Sequence, residues 1–326
     1  MEELDVKDKK ILMQLTKNSR QSLTQIAKHV GLTKDFIFYR IKRLENTGII
    51  KKYLTQIDTL KIGFIGCRFY YKFQYTTPQL KNEIIEYFIS HPLSIIVHSL
   101  EGSYDLEVRF QIPSPSAFFS FYETTSKKYR DYFSEQVFTV NYFSHIYGYS
   151  FLMNNKERLN SKIFFQDKTS GHFNTDLKLD KLDFQILSIL NINARIPTVD
   201  IAKLCKSTSR TILRRMKHLE ETGIIGGYTI DLDYSKLGYR FYIVSFELKK
   251  YAELYKIIDY MSKNPALYKA ERIVGFGDLN LGLILKDVDE LHVILDDLSK
   301  KFPDVIRKYS YYSHLKEHKC QFLCQL

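Results

Sequence analysis

The 326-residue chain has no tryptophan, only four cysteines, and no apolar run long enough to cross a bilayer. Without tryptophan, aromatic core volume has to come from 24 tyrosines and 23 phenylalanines, which supplies packing and names no function. The cysteines, Cys67, Cys205, Cys320 and Cys324, show no framework spacing and read as reduced thiols in a cytosolic protein. The opening Met1-Glu2-Glu3-Leu4-Asp5 is acidic and has no apolar segment of the signal-peptide kind, so none is expected. Two chemistries have no motif here: there is neither a Gly-x-x-x-x-Gly-Lys-Ser/Thr phosphate loop nor a Gly-x-Ser-x-Gly nucleophile elbow. Acidic residues are also short, 37 against 48 lysines and arginines. The formal charge of +11 and a pI near 9.2 favour a polyanionic partner, nucleic acid before membrane.

What is present is present twice. Leu4-Asp5-Val6-Lys7-Asp8 recurs as Leu179-Asp180-Lys181-Leu182-Asp183, a shift of 175 positions. The same shift carries Ile26-Ala27-Lys28 onto Ile201-Ala202-Lys203 and Thr47-Gly48-Ile49-Ile50 onto Thr222-Gly223-Ile224-Ile225. That period is far longer than a solenoid repeat and describes a duplicated multi-domain module.

In each copy Asp-x-x-Asp places carboxylates where a helix start favours them. In the first copy, Ile11, Leu12 and Leu15 then mark one inward helical face. A short second helix, Leu23 to about His29, leads to a turn at Val30-Gly31-Leu32, where Gly31 suits a left-handed backbone. Thr33 can cap a third helix running to about Thr47, with Ile37, Ile41 and Leu44 facing inward. Short helix, tight turn and basic helix spell a helix-turn-helix. Its outward face carries Lys34, Asp35, Phe38, Tyr39 and Lys42, flanked by Arg40 and Arg43. Side chains near the start of such a helix suit base edges, and the later cations suit phosphates. The segment from Lys51 to Ile57 reads as a wing, with Lys51 and Lys52 beside a phosphate backbone.

The second copy departs in two ways. Lys206 replaces Gly31, so a left-handed residue kept there is strained by roughly 1 kcal/mol. Its recognition helix, about Thr208 to Glu221, presents Ser209, Arg210, Leu213, Arg214 and Lys217 with Arg215 alongside, over Ile212, Met216 and Leu219. The exposed faces differ almost throughout, which predicts two different half-sites.

After each helix-turn-helix the pattern changes to βαββαβ, a ferredoxin-like unit. In the first copy it reads as a strand Gly66 to Gln74 and a helix opened by Thr77-Pro78. Strands Leu93 to Leu100 and Tyr104 to Ile112, a helix opened by Ser114-Pro115, and a strand Glu135 to Tyr147 follow. The expected fold class is α+β. Its units are winged helix-turn-helix 1–62, ferredoxin-like domain 63–150, linker 151–177, winged helix-turn-helix 178–237, and ferredoxin-like domain with tail 238–326. The linker is polar, with one apolar patch at Ile163-Phe164-Phe165.

The Asp-x-x-Asp start, helix-turn-helix, Leu-Glu-x-Thr-Gly-Ile-Ile exit and βαββαβ unit with Gly-x-x-Asp together resemble the Lrp/AsnC family of feast/famine transcription regulators. The resemblance covers nearly the whole chain, twice. It implies a double-stranded DNA partner, no catalysis, no cofactor and no metal. It also implies ferredoxin-like (RAM) domains that pair sheet to sheet, here within one chain as a pseudo-dimer, with higher assembly open. In that family a loop in the RAM domain can bind an amino acid or similar effector. The matching positions are Gly102, Ser103, Tyr104 and Asp105, and Gly275, Phe276, Gly277 and Asp278. Either aspartate can pair an ammonium group or order its own turn.

Two rival readings use other residues. Siroheme decarboxylases look like this family in fold and also occur as fused pairs. Such chemistry needs basic and imidazole groups in the sheet cavity, for which His91, His98, Arg109, His145 and His314 are candidates. His314, His318, Cys320 and Cys324 crowd the C-terminus, but their spacing is loose for zinc, and a mobile polar tail is the expected reading.

Overall fold

A computed structural model of the chain describes residues 4–153, 165–166 and 179–324. Each half opens with three helices: α1 Val6–Lys17, α2 Leu23–Val30 and α3 Lys34–Asn46, then α6 Lys181–Ile192, α7 Thr198–Leu204 and α8 Ser209–Glu221. Asp5 and Asp180 cap their helices in reciprocal boxes with Asp8 and Asp183. Gly31 closes α2 in the left-handed region at φ 70°, and Lys206 adopts φ 50° at the equivalent turn, the strained conformation expected. Thr33 and Thr208 cap the two recognition helices.

The strands that follow, β1 Ile50–Ile57 and β7 Ile225–Leu232, pair antiparallel with each other, Ile50 opposite Leu232 and Ile57 opposite Ile225. This ribbon joins the two helix-turn-helix units. Each half also reaches across it. Thr55 donates to Leu190 O at 2.8 Å and Thr229 to Thr16 O at 3.0 Å. Arg20 donates to Ala194 O at 2.6 Å, and Arg195 returns to Ser19 O at 3.1 Å. Buried Ile11, Leu12, Leu15, Ile186, Leu187 and Leu190 belong to one core with the ribbon's Ile225, Ile230 and Leu232.

The βαββαβ units comprise β2 Ile65–Phe73, α4 Pro78–Ser90, β3 Ser94–Gly102, β4 Leu106–Ile112, α5 Pro115–Tyr129 and β5 Phe133–Ile146 in the first half. The short β6 Phe165–Gln166 follows. The second half has β8 Arg240–Leu248, α9 Leu254–Ser262, β9 Leu267–Gly275, β10 Leu279–Leu285, α10 Val288–Lys301 and β11 Ile306–Cys320. Strand order β2-β4-β3-β11-β8-β10-β9-β5-β6, with β2 also paired to β5, closes an antiparallel barrel. The seams between halves are β3–β11 and β9–β5, so the intrachain pseudo-dimer is covalent duplication closed by hydrogen bonding.

Side chains alternate across these strands. Cys67, Phe69 and Tyr71 lie under α4 and α5 in an aromatic core with Phe88, Phe110 and Phe121. The equivalent core under α9 and α10 is largely aliphatic, with Leu279, Leu281, Leu283, Leu291 and Leu295. The intervening residues of β2, Arg68 and Tyr70, face inside the barrel. The tail is no loose end: β11 runs to Cys320, Gln321 donates to Ile95 O, and Cys324 is buried. The expected linker falls largely outside the described residues, except that Phe165 and Gln166 pair with Ile146 and His145.

Candidate functional site

On α3, Lys34, Asp35, Phe38, Tyr39 and Lys42 are exposed, Tyr39 by 66%. On α8, Arg210, Leu213, Arg214 and Lys217 are exposed and Ser209 half-buried. Three expected DNA cations are otherwise engaged. Arg40 donates to Asp5 at 2.7 Å and Asp8 at 2.8 Å, and Arg43 also grips Asp8, whose carboxylate is 1% exposed. Arg215 bonds Asp180 at 2.6 Å and Asp183 at 3.1 Å. The Asp-x-x-Asp motif is thus a clasp as well as a cap: it fixes each recognition helix to the first helix of its unit. That correction leaves Lys34, Tyr39 and Lys42 on one face, and Arg210, Arg214 and Lys217 on the other, clear of the clasps.

Lys51 and Lys52 require a larger correction. Strand pairing turns them toward the barrel, where Lys51 meets Glu317 at 2.9 Å and Asp231 at 3.3 Å, and Lys52 meets Glu317 at 3.4 Å. They tie the ribbon to β11.

The loop residues also serve the fold itself. Asp105 accepts from Phe73 N and Asp278 from Leu248 N, each at 2.7 Å, so each carboxylate ties its loop to the end of a neighbouring strand. A Cβ on Gly102 would lie 2.9 Å from Tyr311 O, and one on Gly275 2.6 Å from Phe138 O: close approach is needed, but by the chain's own backbone. Ser103 donates to Tyr311 O. Tyr104 is buried, stacked on Tyr70 and edge-on to Phe276, so the two loops meet each other across the seam. Gly277 at φ 93° packs under Phe246 O.

The chemically richest region lies between the β1–β7 ribbon and the barrel. A cavity of about 650 Å³ is lined by Leu54, Ile96, Tyr149, Ile225, Tyr234 and Phe241, with charged groups from the barrel below. His98, Arg109 and His314 from the enzyme candidates meet there. His91 does not; it packs against Phe110 and Phe121 under the helices. His145 lies beside Tyr147, across the barrel's second seam.

Sequence reading missed the groups that organise this floor: Arg68, Glu107, Lys269, Glu271 and Glu317. Arg68 is fully buried between Glu107, 3.0 Å away, and Glu271, 2.8 Å away. Arg109 reaches the same Glu107 oxygen at 2.5 Å, and Lys269 bonds Glu271 at 3.0 Å. Tyr70 and Tyr312 share a 2.6 Å hydroxyl contact beside Arg68. The signal was available as charged residues alternating through otherwise apolar strands, such as Glu107 and Arg109 in Leu106–Ile112.

Burial and neighbours set the charges of this floor. Desolvation works to raise Glu107, but Arg109 and Arg68 hold it well below the carboxylate range. Glu271 is likewise lowered against desolvation, by Arg68 and Lys269. Desolvation, helped by Arg109, brings Lys269 down to about 7. His314 is lowered to about 3 by desolvation and by His98, whose ring centroid is 4.2 Å away, so its imidazole is neutral. His314 Nε2 lies 3.2 Å from Glu107 Oε2.

Comparison with known proteins agrees with this geometry. Residues 4–51 match the winged helix-turn-helix DNA-binding domain, and residues 179–220 match the AsnC-type helix-turn-helix domain. An HTH-type transcriptional regulator of Pyrococcus abyssi is 34% identical over 125 residues, 38% of this chain and 84% of the relative. The HTH-type transcriptional regulator LrpB of Bacillus subtilis is 29% identical over 143 residues, 44% of this chain and 93% of LrpB. The solved siroheme decarboxylase NirDL has the same fold over 96% of this chain and 92% of its own, with a TM-score of 0.64 and 13% identity. Among the described residues no helix is long and apolar enough to cross a membrane. With one regulator-sized unit recurring in each half, the chain belongs to the Lrp/AsnC family.

Proposed function

We propose that the chain is a sequence-specific DNA-binding transcription regulator that presents two unlike recognition helices from one polypeptide. The observation that carries this reading is the clasp. In each unit an aspartate pair bonds arginines of the recognition helix, Arg40 and Arg43 in the first and Arg215 in the second, while Lys34, Tyr39, Arg210 and Arg214 stay exposed. Arg210, Arg214 and Lys217 form the more cationic face, and Lys34, Tyr39 and Lys42 the other. Phosphate contacts make log affinity fall with log salt at about −0.9 per phosphate neutralised. The test is fluorescence anisotropy on duplexes selected from a random pool, at several salt concentrations. A sequence preference with a negative salt slope supports the reading, and indifference to sequence at every salt rejects it.

For a small effector, the cavity offers basic groups in addition to the loop carboxylates Asp105 and Asp278, which already accept from Phe73 N and Leu248 N. An apolar rim over a floor bearing Arg109 and Lys269 suits an amino acid or another carboxylate-bearing molecule. Binding there would press on the ribbon that joins the two readers.

The same floor favours a second reading, an enzyme of the siroheme decarboxylase kind, because His98, Arg109 and His314 converge. Titration with siroheme separates the two: a shifted Soret band followed by loss of carbon dioxide supports the enzyme, and an unshifted band removes it.

A further inference from the structure

Three donor groups come from three neighbouring strands: His98 on β3 and His314 on β11, which line the cavity floor, and Glu107 on β4, fully buried beside them. One ligand atom from each lies within 4.8 Å of the others. Glu107 Oε2 is 3.2 Å from His314 Nε2 and 3.8 Å from His98 Nδ1. Donors around a tetrahedral ion with bonds of about 2.0–2.1 Å stand roughly 3.3 Å apart. Two of the separations, 3.2 and 3.8 Å, stand near that spacing, so side-chain adjustment alone would close the triad on an ion.

Further observations point to a ligand. His98 is 6% exposed, and its Nδ1, aimed at Glu107, has no hydrogen-bond partner. Its other ring nitrogen faces Glu317 at 3.7 Å, giving the carboxylate–histidine order that orients metal-bound imidazoles. Glu107 is divided in the same sense: Oε1 takes Arg68 and Arg109, leaving Oε2 toward the imidazoles. The guanidiniums oppose a cation by charge, while Glu271 and Glu317 offset them. Imidazole donors among arginines select an ion held by nitrogen lone pairs, such as zinc, cobalt, nickel or ferrous iron, over magnesium or calcium.

We propose that His98, Glu107 and His314 form a three-ligand site for one divalent transition-metal ion, with its open position toward the cavity. Among the described residues this set occurs once. At the pseudo-symmetric positions the second seam carries Glu271, Asn280 and His145, which do not repeat the set. Glu317 is a positioning residue for His98, and it also holds Lys51 and Lys52 of the ribbon.

The test is equilibrium dialysis of the full chain against Co²⁺, read by metal content and by visible absorption. One ion per chain is expected, with visible bands of low coordination number, lost in His98→Gln and His314→Gln and retained in His318→Ala and Cys320→Ser. Glu317→Gln is expected to weaken binding about tenfold. Circular dichroism checks folding; should either glutamine variant unfold, Glu317→Gln decides alone, and unchanged affinity there overturns the site. Absence of bound Co²⁺ overturns it too, as does undiminished binding in both glutamine variants. A loss confined to the His318 and Cys320 variants would place the ion on the C-terminal strand instead.

Discussion

Where β2 and β4 of the first half carry Arg68, Tyr70, Glu107 and Arg109, the equivalent positions of β8 and β10 carry Ile243, Ser245, Asn280 and Gly282. The Asp-x-x-Asp caps and cross-ribbon contacts did not diverge in this way. Arg20 and Arg195 exchange places across the ribbon, as do Lys61 to Thr222 O and Lys236 to Thr47 O. Tyr53 to Glu45 and Tyr228 to Glu220 form another matched pair. A symmetric dimer builds any seam site twice from one sequence. Fusion removes that constraint, and this chain has kept the symmetric scaffold while placing charge on β2 and β4 where the equivalent positions of β8 and β10 are neutral. Gly282 shows the accommodation: a Cβ there would lie 2.7 Å from both Lys269 Cγ and Phe241 Cζ, so the glycine at the position equivalent to Arg109 leaves room for the lysine.

The largest effect should separate the two linings. Glu107→Ala strands Arg68 and Arg109 in a buried setting and is expected to cost about 3–5 kcal/mol. Asn280→Ala removes a buried bond to Ser245 and should cost roughly 1–2 kcal/mol. Urea titration of both variants checks this, and equal costs would mean the charged lining is not structurally dominant.

The recognition helices sharpen the same comparison. Arg214 occupies the position of Tyr39, and Arg210 that of Asp35. Arg214→Ala is expected to lose about 1–3 kcal/mol of binding and to relax preference in one half-site only. Arg215→Ala should instead loosen the clasp on Asp180 and Asp183, lowering the melting temperature before it alters base preference.

Much of this was legible in the sequence because it is local. A cap, a turn glycine and a helical stripe each depend on neighbours within a few residues, so α1 to α3, α6 to α8 and the βαββαβ order followed from pattern. What failed was long-range. Lys51 and Lys52 looked like wing cations because nothing nearby announces that β1 will pair with a strand from the other half. Arg40 and Arg215 have helical positions compatible with DNA, yet aspartates 32 to 35 residues away claim them. Asp105 illustrates a choice left open between ligand and turn; its partner Phe73 N stands 32 residues away at the end of β2. The cavity floor joins residues 203 positions apart, as with Arg68 and Glu271, and no periodicity encodes that meeting.

Lys269 supplies a pH test. Its folded value of about 7 lies below its ordinary 10.5, so between these limits the unfolded chain binds the extra proton and this lysine makes stability rise with pH. Comparing wild type with Lys269→Met from pH 7 to 10 isolates the effect: the wild type should gain on the variant at up to about 1.4 kcal/mol per pH unit. Parallel curves would show that the ammonium is not desolvated. The smallest expected change is at the α7–α8 turn, where Lys206→Gly relieves a left-handed lysine and should stabilise by roughly 0.5–1 kcal/mol. Gly31→Lys in the first half should cost a similar amount.

The most direct measurement is selection of duplexes from a random pool by the full chain and by Arg214→Ala. Two unlike half-sites, with only one blurred in the variant, are the expected result. A perfect palindrome, or two half-sites blurred together, would contradict a regulator whose fused halves read different sequences.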